Sequence, residues 1–340
     1  EDRAREVPVT GRAGTVFLSH FEIGHSAGVN LSNRVRHMIK FIFMRTEEPA
    51  APSWEGGSTG WRTPDDITAP HDLETAWRHQ WDWLRGAYSS GHGHKETTVM
   101  VAELIGRLNT GNQADRTRAI YDLADRGSGS IVPLTKILEA SGLRESLEDE
   151  PFFHKKSTVT MDDAAYALIA IGADAVTPLL SLLDAPHEWT RMNAIFALGE
   201  IGPSSQPAVP RLMELLDDPS HRIIRYAAIA LGTIGDSDSQ GALCDLLSVD
   251  ADGWDELIDN NWPIRFLVHV NAAMALAKMG KQASDSEAAL IHHLNHPCGH
   301  VGMFLTEALK RIGTTTAKEA LLKDLEFRRW DSSLHEERQF

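Results

Sequence analysis

The sequence predicts a mainly α-helical protein: an α-solenoid of about six helical-hairpin repeats, preceded by a few β-strands. Three observations carry that reading. Six segments end alike, at Gly127, Gly172, Gly202, Gly235, Gly280 and Gly313, with gaps of 45, 30, 33, 45 and 33 residues. Within each unit the apolar residues fall twice at helical spacing. Residues 14–45, by contrast, alternate in the manner of strands.

The repeats follow one plan. "AVTPLLSLLD", "AVPRLMELLDD" and "GALCDLLS" are first helices; "RMNAIFALGEIG", "RYAAIALGTIG" and "VNAAMALAKMG" are second helices. Ala194, Ala197, Ala227, Ala230, Ala272 and Ala275 let paired helices approach closely, while Leu198, Leu231 and Leu276 fill the space between units. The terminal glycine is the expected left-handed helix stop. Pro178 and Pro210 lie near the starts of first helices, where a missing N–H is tolerated. Two longer gaps place insertions at about 143–159 and 249–264, between the two helices of a unit. Both should leave the same edge of the solenoid, as partner contacts or as tolerated loops.

These repeats resemble the HEAT-like repeats of the phycobilisome-lyase type over residues 97–327. The resemblance implies a curved binding or scaffolding surface for a protein partner, and by itself no chemistry.

Ahead of the repeats, residues 46–95 form a junction. It opens with Pro, Gly and Ser and continues as an expected helix, "HDLETAWRHQWDWLRGAY". Trp54, Trp61, Trp77, Trp81 and Trp83 fall here, with Trp77 and Trp81 on one helix face. So much aromatic surface predicts a packed clamp between the first domain and the solenoid rather than a free linker.

The opening domain, 1–45, reads as "GTVFLSH" in a strand, a turn-rich connection, and the alternating strand "RHMIKFIFMR". Two strands alone are not stable, so they should belong to a larger sheet. "GTVFLSHFEIGHSAGVNLSNRVRHMIKF" is similar to the end of the catalytic core of the phytanoyl-CoA dioxygenase family of iron(II)- and 2-oxoglutarate-dependent oxygenases: a strand beginning with Gly, a His opening a Gly/Asn/Ser loop, and an Arg eleven residues after that His. The resemblance implies an incomplete jelly-roll (double-stranded β-helix) domain. In it His25 would be one iron ligand and Arg36 would pair with the distal carboxylate of 2-oxoglutarate, with Asn30 and Ser32 near the cosubstrate. The family's upstream His-x-Asp/Glu has no counterpart. His20-Phe21-Glu22 lies too near His25, and only 24 residues precede His25. No catalytic set is complete in this chain, and iron(II) and 2-oxoglutarate are expected to bind a longer parent rather than this piece.

Charge narrows the partners. The net charge is −15; residues 1–95 are nearly balanced, and the remainder carries 22 Lys/Arg against 36 Asp/Glu. An acidic solenoid repels phosphate backbones, so nucleic acid is not the expected partner. No secretory signal or continuous apolar run of membrane-spanning length is visible. Cys244 and Cys298 are too few for a disulfide framework and fit a reducing, cytoplasmic setting, one bridge between them being left open. The chain opens on Glu1 in a polar stretch, as a fragment would.

"HHLNHPCGH", residues 292–300, offers metal-ligand types, but Leu290 and Leu294 mark a first helix and "NHPCGH" reads as a turn. The di-iron repeats of deoxyhypusine hydroxylase need His-Glu pairs where this chain has Met192-Asn193, Tyr226-Ala227 and Asn271-Ala272. Two functions remain. One is the C-terminal part of a dioxygenase fused to a protein-binding solenoid and inactive as this chain; the other is a non-enzymatic repeat scaffold. The residues after 327 are read as a tail.

Overall fold

The structure is a computed structural model that describes residues 11–12, 14–18, 33, 49–55, 60–62, 73–87, 100–142, 161–250 and 264–328. The chain divides into two compact units, 1–48 and 49–340. His25, Asn30, Ser32 and Arg36, together with the strand expected at 36–45, lie outside the described residues of the first unit. Among its described residues, 14–18 form no strand, and Val16 and Leu18 are 91% and 94% exposed. The strand expected there is not present, and no burial of either side chain exists to favour one.

Every regular element among the described residues of the second unit is helical. Helix α1 spans Glu74–Leu84. Six hairpins follow: α2 (Val101–Thr110) with α3 (Gln113–Ala124), α4 (Ser128–Gly142) with α5 (Asp163–Ile171), α6 (Val176–Leu182) with α7 (Glu188–Ile201), α8 (Val209–Glu214) with α9 (His221–Ile234), α10 (Gln240–Asp245) with α11 (Ile264–Met279), and α12 (Glu287–His292) with α13 (Gly299–Ile312). A last helix, α14 (Thr315–Arg328), packs on α13. Each second helix packs on the next, α3 on α5 and so on to α13, over one core that runs from Leu104 to Ala317. Each unit touches its sequence neighbours, which is the definition of a solenoid.

All six terminal glycines have positive φ, between 56° and 81°. They stop the helix in two ways. Gly235 and Gly313 take the left-handed conformation expected. Gly172 and Gly202 instead have ψ of −137° and −138°, a region open essentially to glycine alone. From there the chain runs directly into the 3₁₀ turns Gly172–Ala175 and Gly202–Ala208. The first helices are consequently short. Pro178 and Pro210 sit in the opening turn of α6 and α8, where no N–H is missed.

Asp163–Leu182 is long and apolar enough to cross a membrane by composition, contrary to the sequence reading that no such run exists. Its hydropathy serves the core instead. The stretch is α5 and α6 joined across Gly172, with Leu168, Ile171, Leu179 and Leu182 buried.

The insertions lie where the gaps place them in sequence, after α4 and after the 3₁₀ turn Leu246–Ser248; residues 143–160 and 251–263 are outside the described set. The chain re-enters the first gap under tight control. Asn193 accepts from the Asp162 backbone N–H at 2.8 Å and donates to the Trp189 carbonyl at 2.9 Å, while the Trp189 indole donates to Asp162 at 3.2 Å. Asn193 is fully buried, so both bonds are needed to offset its desolvation.

Consecutive second helices touch through their backbones. A Cβ built on Gly199 would lie 2.9 Å from Ala230 Cα, and one on Gly232 would lie 2.3 Å from Ala275 Cα. Gly232→Ala should therefore separate α9 from α11 and destabilise the chain by about 1–3 kcal/mol. Gly241→Ala, in α10, would meet nothing within 4 Å and should stabilise slightly through helix propensity. Thermal melts of the two variants check this, and equal midpoints would refute the packing account.

Candidate functional site

Aligning the second helices on their terminal glycines exposes a row of side chains. Six residues before each glycine stand Tyr121, Tyr166, Phe196, Ile229 and Met274, and in the last unit Glu307. The residues one turn on, two before the glycine, are Asp125, Ala170, Glu200, Thr233, Lys278 and Arg311. The five apolar members are half-buried while the residues on either side of them are mostly fully buried. The two positions of each helix lie on one face, because i and i+4 share a face. Tyr166 and Phe196 meet across α5 and α7 edge to face, centroids 5.6 Å apart. Thr233 and Lys278 meet across α9 and α11, the ammonium donating to the hydroxyl at 2.8 Å.

At the first position the chain covers its own row. Helix α1 packs on α3. Its His79 ring stacks at 4.7 Å on Tyr121, and its Nε2 lies 3.1 Å from Asp125 Oδ1. Both side chains of that His–Asp pair are only 11% exposed, so the imidazole is seated rather than resting on the surface. Behind it the indoles cluster: Trp81 lies 4.8 Å from Trp54 and 6.0 Å from Trp61, and Trp61 lies 6.4 Å from Trp77. The described indoles of the junction thus pack on one another, and they belong to the second unit.

Charge is unevenly spread along the row. At the α5–α7 end, Asp163 is held by Arg116 at 2.8 Å and Glu200 is exposed. Burial raises the Tyr166 phenol above its ordinary range, and the Asp163 and Glu200 carboxylates add to the rise. Beyond α7, Arg222 of α9 lies 3.8 Å from Glu188, Arg225 stands on the same helix, and Lys278 stands on α11. Burial lowers the Arg225 guanidinium.

A second constellation lies at the other end. The Cys298 backbone N–H donates to His296 Nδ1 at 3.0 Å, so the His296 proton is on Nε2. That proton faces His269 Nδ1 at 2.9 Å, and His269 Nε2 in turn faces the Val249 carbonyl at 2.9 Å. One backbone donor and one backbone acceptor therefore fix the tautomers of both rings. Protonating either ring would set two donors against each other. Burial, then His269 and His293, lower His296 to about 4. Burial and Arg265 lower His269, while its Val249 bond and Asp250 oppose this. The pair ties the start of the second insertion to α11 and to the turn before α13.

Of the histidines in "HHLNHPCGH", the structure brings His296 to His269, a partner 27 residues away that the local sequence did not indicate. His293 reaches Ser248 at 3.3 Å. Among the described residues no group of three or more His, Cys, Asp or Glu is placed to hold a metal. Cys244 and Cys298 are both free thiols, which closes the question of a bridge.

The comparisons bear on the solenoid alone. A family model of HEAT repeats matches residues 163–256, from α5 through α10. No curated protein matches the chain. Among solved structures, a designed armadillo repeat protein is 21% identical over 63% of this chain and 100% of its own, with a TM-score of 0.35. A second designed armadillo repeat protein, in complex with the peptide (KR)4, is 20% identical over 63% of this chain and 99% of its own, with a TM-score of 0.37. An engineered protein is 20% identical over 65% of this chain and 97% of its own, with a TM-score of 0.35. None of these comparisons supports the dioxygenase resemblance. The iron and 2-oxoglutarate roles of His25 and Arg36, and the lesser ones of Asn30 and Ser32, rest on that resemblance alone.

The histidine relay has a measurable consequence. Its folded-state pKa values are depressed, so its contribution to stability is complete above about pH 6.5 and is lost as pH falls toward 4. His296→Asn keeps an acceptor for the Cys298 N–H without a titrating ring. The variant's thermal midpoint should fall less than the wild type's between pH 6.5 and 4, and parallel pH profiles would refute the tautomer assignment.

Proposed function

We propose that this chain is a non-enzymatic repeat scaffold that binds a protein partner along the open face of its second helices. The observation that carries the reading is the row Tyr166, Phe196, Ile229 and Met274. Four consecutive repeats place a large apolar side chain at one position and leave it half-buried. A ladder of that kind offers evenly spaced pockets to a polypeptide laid across the repeats. The solenoid's match to HEAT repeats supports the reading, since such repeats act as binding surfaces.

The chain's own use of the row supports it further. Helix α1 lies on the first member, Tyr121, and seats its His79 side chain there.

A random dodecapeptide display library selected on the full chain tests the proposal. Selected peptides should bind wild-type protein and lose about tenfold or more in affinity on Phe196→Ala or Met274→Ala, with circular dichroism showing both variants folded. Failure to enrich any peptide, or peptides indifferent to both substitutions, would refute it.

A further inference from the structure

Helix α1 holds the Tyr121 end of the row without joining the core. Every helix from α2 to α14 buries at least one residue, whereas none of the 11 residues of α1 is buried. It packs on α3, the helix that carries Tyr121 and Asp125. His79 makes the reach, its ring 4.7 Å from the Tyr121 ring and its Nε2 3.1 Å from Asp125 Oδ1. Trp77 and Trp81 of the same helix meet Trp61 and Trp54, so aromatic surface of α1 goes into contacts within the junction.

A helix that buries none of its residues gains little from the hydrophobic effect on docking, and such elements sit at the low end of local stability. Being part of the same chain compensates: an attached segment competes at a high effective concentration, so a weak contact keeps it seated. What it covers loses water, and burial raises the Tyr121 phenol above its ordinary range.

We propose that α1 is an autoinhibitory segment: it occupies the Tyr121 end of the partner face and leaves when a partner binds along the whole row. This rests on the reading of the row as the interaction surface and adds its regulation. The contacts favour a displaceable occupant over a fixed end cap. A cap stabilises a solenoid by closing its apolar core at the terminal repeat, and α1 contributes no buried side chain to that core. It engages α3 through an imidazole set against a ring and a carboxylate of the row itself, a contact that a partner side chain can replace one for one. Linkage then fixes the consequence. Partner affinity is lowered by the fraction of molecules in which α1 is seated, and loosening α1 restores it.

Helices packed about 8–10 Å apart place Tyr121 about 32–40 Å from Met274, a length that a dodecapeptide extended at about 3.3 Å per residue covers. The test is the dodecapeptide library selected on the full chain carrying His79→Ala, with circular dichroism showing the variant folded. Selected peptides should bind this variant about tenfold more tightly than wild type and should lose that advantage when Tyr121→Ala is added. In wild type, peptide binding should speed hydrogen exchange of the 74–84 amides. Equal affinity for the two proteins, or exchange at 74–84 that binding leaves unchanged, would make α1 a structural cap and overturn this inference. Sensitivity of the same peptides to Phe196→Ala would then leave the scaffold reading standing. No enrichment at all would overturn both.

Discussion

The structure depends on how closely consecutive second helices can approach. Where α9 meets α11, the Gly232 backbone lies against the Ala275 backbone with no room for a methyl group between them. In α7, α9 and α11 that distance is set by residue size at three positions: the small residue three before the terminal glycine, which is Gly199, Gly232 or Ala277, and the alanines five and eight before it. Larger side chains there would hold the helices apart and open the core to solvent. Because these three helices repeat the choice, they stack alike at the centre of the solenoid.

Close stacking also decides where large side chains can go. With the inter-helix positions of α7, α9 and α11 given to Ala and Gly, and Leu198, Leu231 and Leu276 filling the core at 0% exposure, the large side chains Phe196, Ile229 and Met274 stand half-buried at the core's margin. The half-buried row is therefore the counterpart of the tight interface, and both come from one repeated pattern.

Much of this was legible in sequence because it is local and periodic. The terminal glycines, the two helices per unit and the sites of both long gaps follow from spacing, and positive φ at all six glycines agrees with it. The contacts that matter for binding are long-range. His79 meets Asp125 across 46 residues and Asn193 meets the Asp162 backbone across 31, and neither pair has a sequence signature. The row itself was within reach, since aligning the units on their glycines brings it out. Its side chains change from unit to unit, whereas the Ala and Leu positions that fill the core recur. The β-strand reading failed at 14–18 for a different reason: alternation is a statement about which side a residue would face, and it becomes a strand only where a sheet exists to cover one side.

The polarity of the open face follows from where the chain spends its charges. Acidic residues follow aromatic ones by one turn at Tyr121–Asp125 and Phe196–Glu200, whereas Ile229 is followed by Thr233 and Met274 by Lys278. A ring beside a carboxylate suits a cation; an aliphatic group beside a hydroxyl or an ammonium does not. In the first hairpin that preference is already satisfied within the chain, by the His79 imidazole of α1. Between the two acidic seats stands Tyr166–Ala170, which has the ring without the carboxylate and lends its edge to Phe196 instead. The row is thus graded in side-chain type: Tyr121 is covered by α1, Tyr166 and Phe196 meet edge to face, and at α9 and α11 the row is aliphatic. Because each repeat touches only its neighbours, such a change from unit to unit alters the open face without altering the stacking beneath it.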